Sequence, residues 1–141
     1  MKIDGSCHCG SLIYEAEVSP EHVYICHCTD CQLLGGSAFR IRVLSQESAF
    51  RFTRGNPSIY EKLTERGDKR AQAFCGTCGT SICGFGSSEE SPLSINAASC
   101  SQRNELVPKL QVWCRSALSW VDDIGSIPKH HEQPAVPRSG K

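Results

Sequence analysis

A chain of 141 residues has room for one domain with a real hydrophobic core. Its 15 Lys and Arg balance 15 Asp and Glu, which excludes a general electrostatic footprint for nucleic acid or an anionic membrane. No apolar run approaches the roughly 20 residues of a membrane-spanning helix, so neither nucleic acid nor membrane is an expected partner. What stands out is ten cysteines. Met1-Lys2-Ile3-Asp4-Gly5-Ser6 leads into Cys7 without the apolar run of a signal peptide. The expectation is therefore a cytoplasmic, reducing setting, in which clustered cysteines hold metal or do redox chemistry rather than form disulfides.

Taken in chain order, the first cluster is Cys7-His8-Cys9. From Ser11 to Val18, Leu12, Tyr14, Ala16 and Val18 alternate with Ser11, Glu15 and Glu17, the period of a half-buried strand. The second cluster, Cys26-His27-Cys28-Thr29-Asp30-Cys31, follows. Phe39, Ile41 and Val43 then alternate with Arg40 and Arg42, and Phe50 and Phe52 flank Arg51. This predicts two strands separated by a polar break, with Arg40, Arg42 and Arg51 on solvent faces or, where a strand face borders the second cluster, placed to receive an anionic ligand. Gly55-Asn56-Pro57 makes a turn. Further strands are predicted at 59–63, 71–74, 81–84, 93–97 and 109–114, with the third cluster, Cys75-Gly76-Thr77-Cys78, between two of them and an exposed polar loop at 87–92. Cys83 and Cys114 read as small buried hydrophobes, and Trp113 and Trp120 as core, with pocket wall as the alternative; Cys100 has no assigned place. From Pro128 the composition turns to Lys, His, Pro, Ser and Gly, so residues 1–127 are expected to form a single zinc-binding β domain. Residues 128–141 then form a flexible tail carrying exposed His130 and His131. No segment carries a long helical stripe. Frequent turn signals and 12 glycines point to an all-β fold of small, stacked, twisted sheets.

Structural zinc sits in a closed tetrahedron of four protein ligands, whereas catalytic zinc has three and an open position. The cysteines divide along that line. Cys7 and Cys9 with Cys75 and Cys78 supply four thiolates, the second pair on a knuckle-like turn that Gly76 and Gly79 permit. Such a site would contribute its binding free energy to folding. Cys26, Cys28 and Cys31 supply three thiolates on one short segment, and no fourth cysteine follows at knuckle spacing. One reading is a catalytic or substrate-binding zinc with a free position. A second is a structural site closed by Cys100, Cys83 or His27, and a third is a redox pair, Cys28 and Cys31, although the βαβ pattern that accompanies such pairs is missing. Soft thiolate ligands suit zinc, with Cu(I) and iron as alternatives.

Gly5-Ser6-Cys7-His8-Cys9-Gly10, Cys26-His27-Cys28-Thr29-Asp30-Cys31-Gln32, Gly35-Gly36-Ser37-Ala38-Phe39 and Phe74-Cys75-Gly76-Thr77-Cys78-Gly79-Thr80 together resemble the glutathione-dependent formaldehyde-activating enzyme family, over roughly Gly5 to Trp120. That resemblance implies a structural zinc on Cys7, Cys9, Cys75 and Cys78 and a functional, catalytic zinc on Cys26, Cys28 and Cys31. It implies a fold of stacked, coiled antiparallel β-sheets shared with a small zinc-binding Rab exchange factor and B-type methionine sulfoxide reductases. It also implies a carbon–sulfur lyase with glutathione as the small-thiol partner, joining formaldehyde and glutathione to S-hydroxymethylglutathione. The alternative within that reading is a zinc-stabilised module that carries glutathione or binds a protein. The chain departs from the family pattern at Gln32, where an arginine is common, at Ala97-Ala98-Ser99-Cys100 and at Gln111, where many relatives have histidine. These changes spare the cysteines and remove a cation that a glutathione carboxylate would use.

Overall fold

The fold follows from two unusually long strands that bend. In the computed structural model, which describes residues 1–88 and 90–135, β1 (Lys2–Ser6) pairs antiparallel with β2 (Ile13–Cys26), and β2 pairs antiparallel with β3 (Arg40–Arg54). The strands β4 (Ser58–Leu63), β5 (Lys69–Phe74), β6 (Ser81–Gly86) and β7 (Leu93–Asn96) complete a sheet of order β1-β2-β3-β7-β6-β5-β4. A short β8 (Leu110–Val112) lies parallel to the far half of β2. The all-β expectation holds, with one α-helix among the described residues, α1 (Thr29–Gly35), inside the second cysteine cluster, and short 3-10 turns late in the chain.

The strand alternation read from the sequence was right in kind and wrong in extent. The break expected between 43 and 50 is absorbed inside β3 as a bulge: the register with β2 jumps from Val18↔Ser45 to Ala16↔Phe50. Ser45 is buried there and donates its hydroxyl to the Glu17 carbonyl at 2.8 Å, so a polar residue continues the strand. Bulges of this kind increase local twist, and the sheet curls until the edge of β1 meets the segment after β7. Gly5 bridges Cys100, and the Ser101 N–H donates to the Asp4 carbonyl at 2.8 Å. A Cβ at Gly5 would run into the Ser99 carbonyl and the Tyr14 phenol, so only glycine allows this closure.

The core fills the curl. Ile3, Tyr14, Val23, Val43, Ile82, Ile95 and Leu106 are buried together, with Phe50 and Phe52 packed against them. Tyr14 stacks on Phe50 at 5.3 Å between ring centroids, and its hydroxyl bonds Ser99 Oγ at 2.7 Å and Cys100 Sγ at 3.1 Å. Cys100, which the sequence left unplaced, is therefore a core residue, and Cys83 is buried as expected.

Four expectations are corrected. Cys114 is exposed in a short 3-10 turn (Cys114–Ser116) because β8 stops at Val112. Trp113 and Trp120 are 46% and 50% exposed, since the chain leaves the sheet at this point. Arg40 and Arg42 are buried, because Gly35 of α1 packs against Arg40, Gln72 and Ser81 of β5 and β6 hydrogen-bond it, and Gly84 of β6 packs against Arg42; Arg51, farther along, is exposed and pairs with Glu15 at 2.7 Å. Finally, β1 was not anticipated. Residues 128–135 are exposed and outside regular elements, and 136–141 of the expected tail lie outside the described residues.

In the metal-loaded protein, Ile82→Ala is expected to lower the free energy of urea unfolding by about 3 kcal/mol. Arg51→Ala breaks only an exposed ion pair and should change it by less than about 1 kcal/mol.

Candidate metal centres

Two turns of the same design face each other at one end of the curled sheet. In the β1–β2 connection, the Cys7 N–H donates to the Leu12 carbonyl, Gly10 turns with φ 79°, and the Leu12 N–H donates to Cys7 Sγ at 3.2 Å. In the β5–β6 connection, the Cys75 N–H donates to the Thr80 carbonyl, Gly79 turns with φ 78°, and the Cys78 N–H donates to Cys75 Sγ at 3.5 Å. The left-handed turns let backbone amides close onto a sulfur, which stabilises its anionic form. Gly76 serves differently from expectation: it leaves room for Ser58, whose Oγ a Cβ would meet at 2.6 Å. The His8 N–H clamps the two turns together by donating to Thr80 Oγ1 at 3.0 Å.

The four sulfurs of Cys7, Cys9, Cys75 and Cys78 all lie within 4.8 Å of one another. Cys9 stands 3.6 Å from Cys7 and 3.7 Å from Cys75, sulfur to sulfur. A tetrahedron of thiolates around zinc at about 2.3 Å has edges of about 3.8 Å, so the donor set fits the ion. Ser11 Oγ approaches Cys9 Sγ at 2.9 Å and Cys75 Sγ at 3.3 Å, and Thr80 Oγ1 approaches Cys78 Sγ at 3.2 Å. Those hydroxyls are the main cause of lowered thiol pKa values at both Cys75, about 7, and Cys78, about 5. At Cys75 and Cys78 the environment thus favours thiolates before any metal arrives, whereas at Cys9 the lowering by Ser11 is outweighed by burial and the neighbouring thiols of Cys7 and Cys78, which raise its pKa.

The second centre lies where β2 ends and α1 begins. Cys26 is the last residue of β2, Cys28 is the N-cap of α1 with its Sγ accepting the Cys31 N–H at 3.3 Å, and Cys31 sits in the helix's first turn. Gly36, at φ 64°, ends the helix by returning its N–H to the Gln32 carbonyl. The three sulfurs lie within 4.8 Å of one another, and among the described residues no fourth His, Cys, Asp or Glu joins them. Thiols of Cys26 and Cys28, and then the Arg40 guanidinium, hold Cys31 far below the usual thiol range. Cys26 is pushed up by its bonds to Cys28 and Cys31 and by burial. Cys28 is half-buried and forms the more accessible side; nearby, Lys62 and Asp30 pair at 2.8 Å.

None of the three expected ways of closing this cluster is realised. Cys100 bonds Tyr14, and Cys83 is buried in the core. His27 is 1% exposed, edge-on to Phe39, with Nε2 at 2.7 Å from Gln111 Oε1. Because an amide oxygen can only accept, His27 Nε2 carries the proton. Gln32 donates to the carbonyls of His27 at 2.8 Å and Ser116 at 2.9 Å. Two departures from the family pattern, Gln32 and Gln111, therefore lock the cysteine-bearing segment to the chain around β8. Sequence reasoning missed these locks and the burial of Arg40 and Arg42; it offered the arginines' placement beside the second cluster only as one of two readings of their strand. Two surface clefts of about 350 and 250 Å³ run along β1 and β2 and border neither cluster.

A family model described as glutathione-dependent formaldehyde-activating enzyme matches residues 2–116, and the chain belongs to that family. It is also similar to a Rhodobacter sphaeroides protein solved as a structural-genomics target, with a TM-score of 0.61 and 24% identity over 77% of this chain and 98% of that one. That similarity concerns the fold. No curated protein matches the chain.

The two centres are expected to respond differently to loss of one sulfur. Cys78→Ser unties the two facing turns and should unfold the protein, whereas Cys28→Ser should keep the circular dichroism spectrum and lose one zinc by mass spectrometry. Equal loss of structure in both variants would make both sites structural.

Proposed function

We propose that the protein is a zinc-dependent carbon–sulfur lyase-like enzyme that acts on a small thiol adduct, joining formaldehyde and glutathione to S-hydroxymethylglutathione. Family membership supports the reaction class, and the observation that carries the reading is the cluster of three convergent sulfurs with no fourth ligand beside it. In this reading Cys26, Cys28 and Cys31 hold the functional zinc, and Cys7, Cys9, Cys75 and Cys78 hold a structural one.

The reaction forms one carbon–sulfur bond. The thiol sulfur attacks the aldehyde carbon, the carbonyl π pair moves to oxygen, and the thiol proton ends on that oxygen. A bound zinc supplies Lewis acidity, which lowers a thiol pKa or polarises a carbonyl. The protein's own contribution is placement. The end of β2 and the first turn of α1 fix the three sulfurs; His27 with Gln111, and Gln32 with two carbonyls, hold that segment against β8. Half-buried Cys28 marks the side from which a thiol reaches the cluster, beside the Lys62–Asp30 pair.

The adduct also forms without a catalyst, so the test must compare rates. Exchange NMR on mixtures of formaldehyde and glutathione should show faster exchange with the zinc-loaded protein, and the acceleration should disappear in Cys28→Ser. Binding of glutathione without acceleration would make the protein a carrier; neither binding nor acceleration would overturn the reading.

A further inference from the structure

Beside the three-cysteine cluster, β3 carries two buried arginines. Arg40 is paired across the strands with Cys26 and Arg42 with Tyr24, and they are 5% and 3% exposed. Buried guanidiniums are normally matched by carboxylates, because an uncompensated buried charge is strongly unfavourable. Apart from the Cys31 sulfur, which Arg40 helps to hold as a thiolate, every partner is neutral. Arg40 Nη1 donates to Gln72 Oε1 and Ser81 Oγ, both at 3.3 Å; Arg42 donates from Nε to Ser94 Oγ at 2.8 Å and from Nη2 to the Ser94 carbonyl at 2.6 Å. Arg40 Nε and Arg42 Nη1 are buried without a partner, and among the described residues no carboxylate forms an ion pair with either arginine. The chain also makes room for them. A Cβ at Gly35 of α1 would meet Arg40 Cγ at 2.5 Å, and one at Gly84 would meet Arg42 Nη2 and Gln72 Nε2 at 3.0 Å.

The four-cysteine centre is built otherwise, with amides and hydroxyls around its sulfurs. The contrast is one of charge. Three thiolates and a divalent ion leave a single negative charge, and the two arginines turn it into a single positive one. Lys62 and Asp30 cancel each other. An anion arriving at the open position completes neutrality, whereas a neutral ligand leaves a buried positive charge.

We propose that Arg40 and Arg42 are specificity-determining residues that make the three-cysteine centre select an anionic ligand over a neutral one. This rests on the reading of that centre as a metal site with an open position.

Gln72→Glu tests it with little change of shape, because it places a carboxylate against Arg40 and cancels one charge without removing the arginine. In cobalt-loaded protein, visible absorption reports a new ligand during titration with azide or, separately, with neutral imidazole. Gln72→Glu should bind azide about tenfold more weakly than wild type, while its imidazole affinity stays unchanged. Arg40→Gln should lose azide affinity in the same way, and Arg40→Lys, which keeps the charge, should recover most of it. Unchanged azide affinity in Gln72→Glu, or equal loss for both probes, would overturn the proposal. Failure of wild type to respond to either probe would instead overturn the open-site reading, and the proposal with it.

Discussion

The structure depends on bringing four sulfurs from two distant turns to within 4.8 Å of one another. Cys9 and Cys75 are 66 positions apart, yet their sulfurs are separated by 3.7 Å. In the order of the sheet their strands sit toward opposite ends, so this approach requires the sheet to curl. The bulges between β2 and β3, the bridge from Gly5 to Cys100 and the bare Cα of Gly5 all serve that curvature. A divalent ion in the cluster would close the curl and convert binding free energy into folding free energy, much as in small zinc-dependent domains. Once the curl is set, β2 ends where α1 must begin, and the second set of sulfurs is presented by elements the first set holds in place.

The two centres achieve anion stabilisation by different physical means. Around Cys7, Cys9, Cys75 and Cys78 the donors are backbone amides of tight turns and the hydroxyls of Ser11 and Thr80, which match a set of thiolates that is complete in itself. Around Cys26, Cys28 and Cys31 the compensating charge comes from guanidiniums held in the protein interior, where screening by solvent is weak. Burial lowers the Arg42 pKa, with Arg40 adding to the effect, to about 10, so the side chain remains a cation at neutral pH.

Much of this was legible in the sequence because metal ligation leaves a local mark. Ligands on one knuckle must lie two or three residues apart, so the pairs Cys7 and Cys9, Cys75 and Cys78, and the triplet Cys26, Cys28 and Cys31 could be grouped from spacing, and the structure brings the same groups together. The strand period was equally clear for Tyr14, Ala16 and Val18. What could not be read was whether the second face of a strand is wet. Alternation of Arg40 and Arg42 with Ile41 and Val43 has the same pattern on a wet face and on a covered one, and only the packing of α1 and of β5 and β6 over that face separates the two. Similarly, α1 is seven residues long, too short to show a helical stripe, and is held by its Cys28 cap and its contacts rather than by periodicity. Trp113 and Trp120 misled because aromatic bulk says nothing about where a chain leaves its sheet.

The claim that one centre is closed and the other open is tested most directly by 113Cd NMR of cadmium-substituted protein titrated with glutathione. The account predicts two resonances in the thiolate-rich region, of which only the one lost in Cys28→Ser moves when glutathione is added. A single class of resonance, or two that both stay fixed at saturating glutathione, would contradict it.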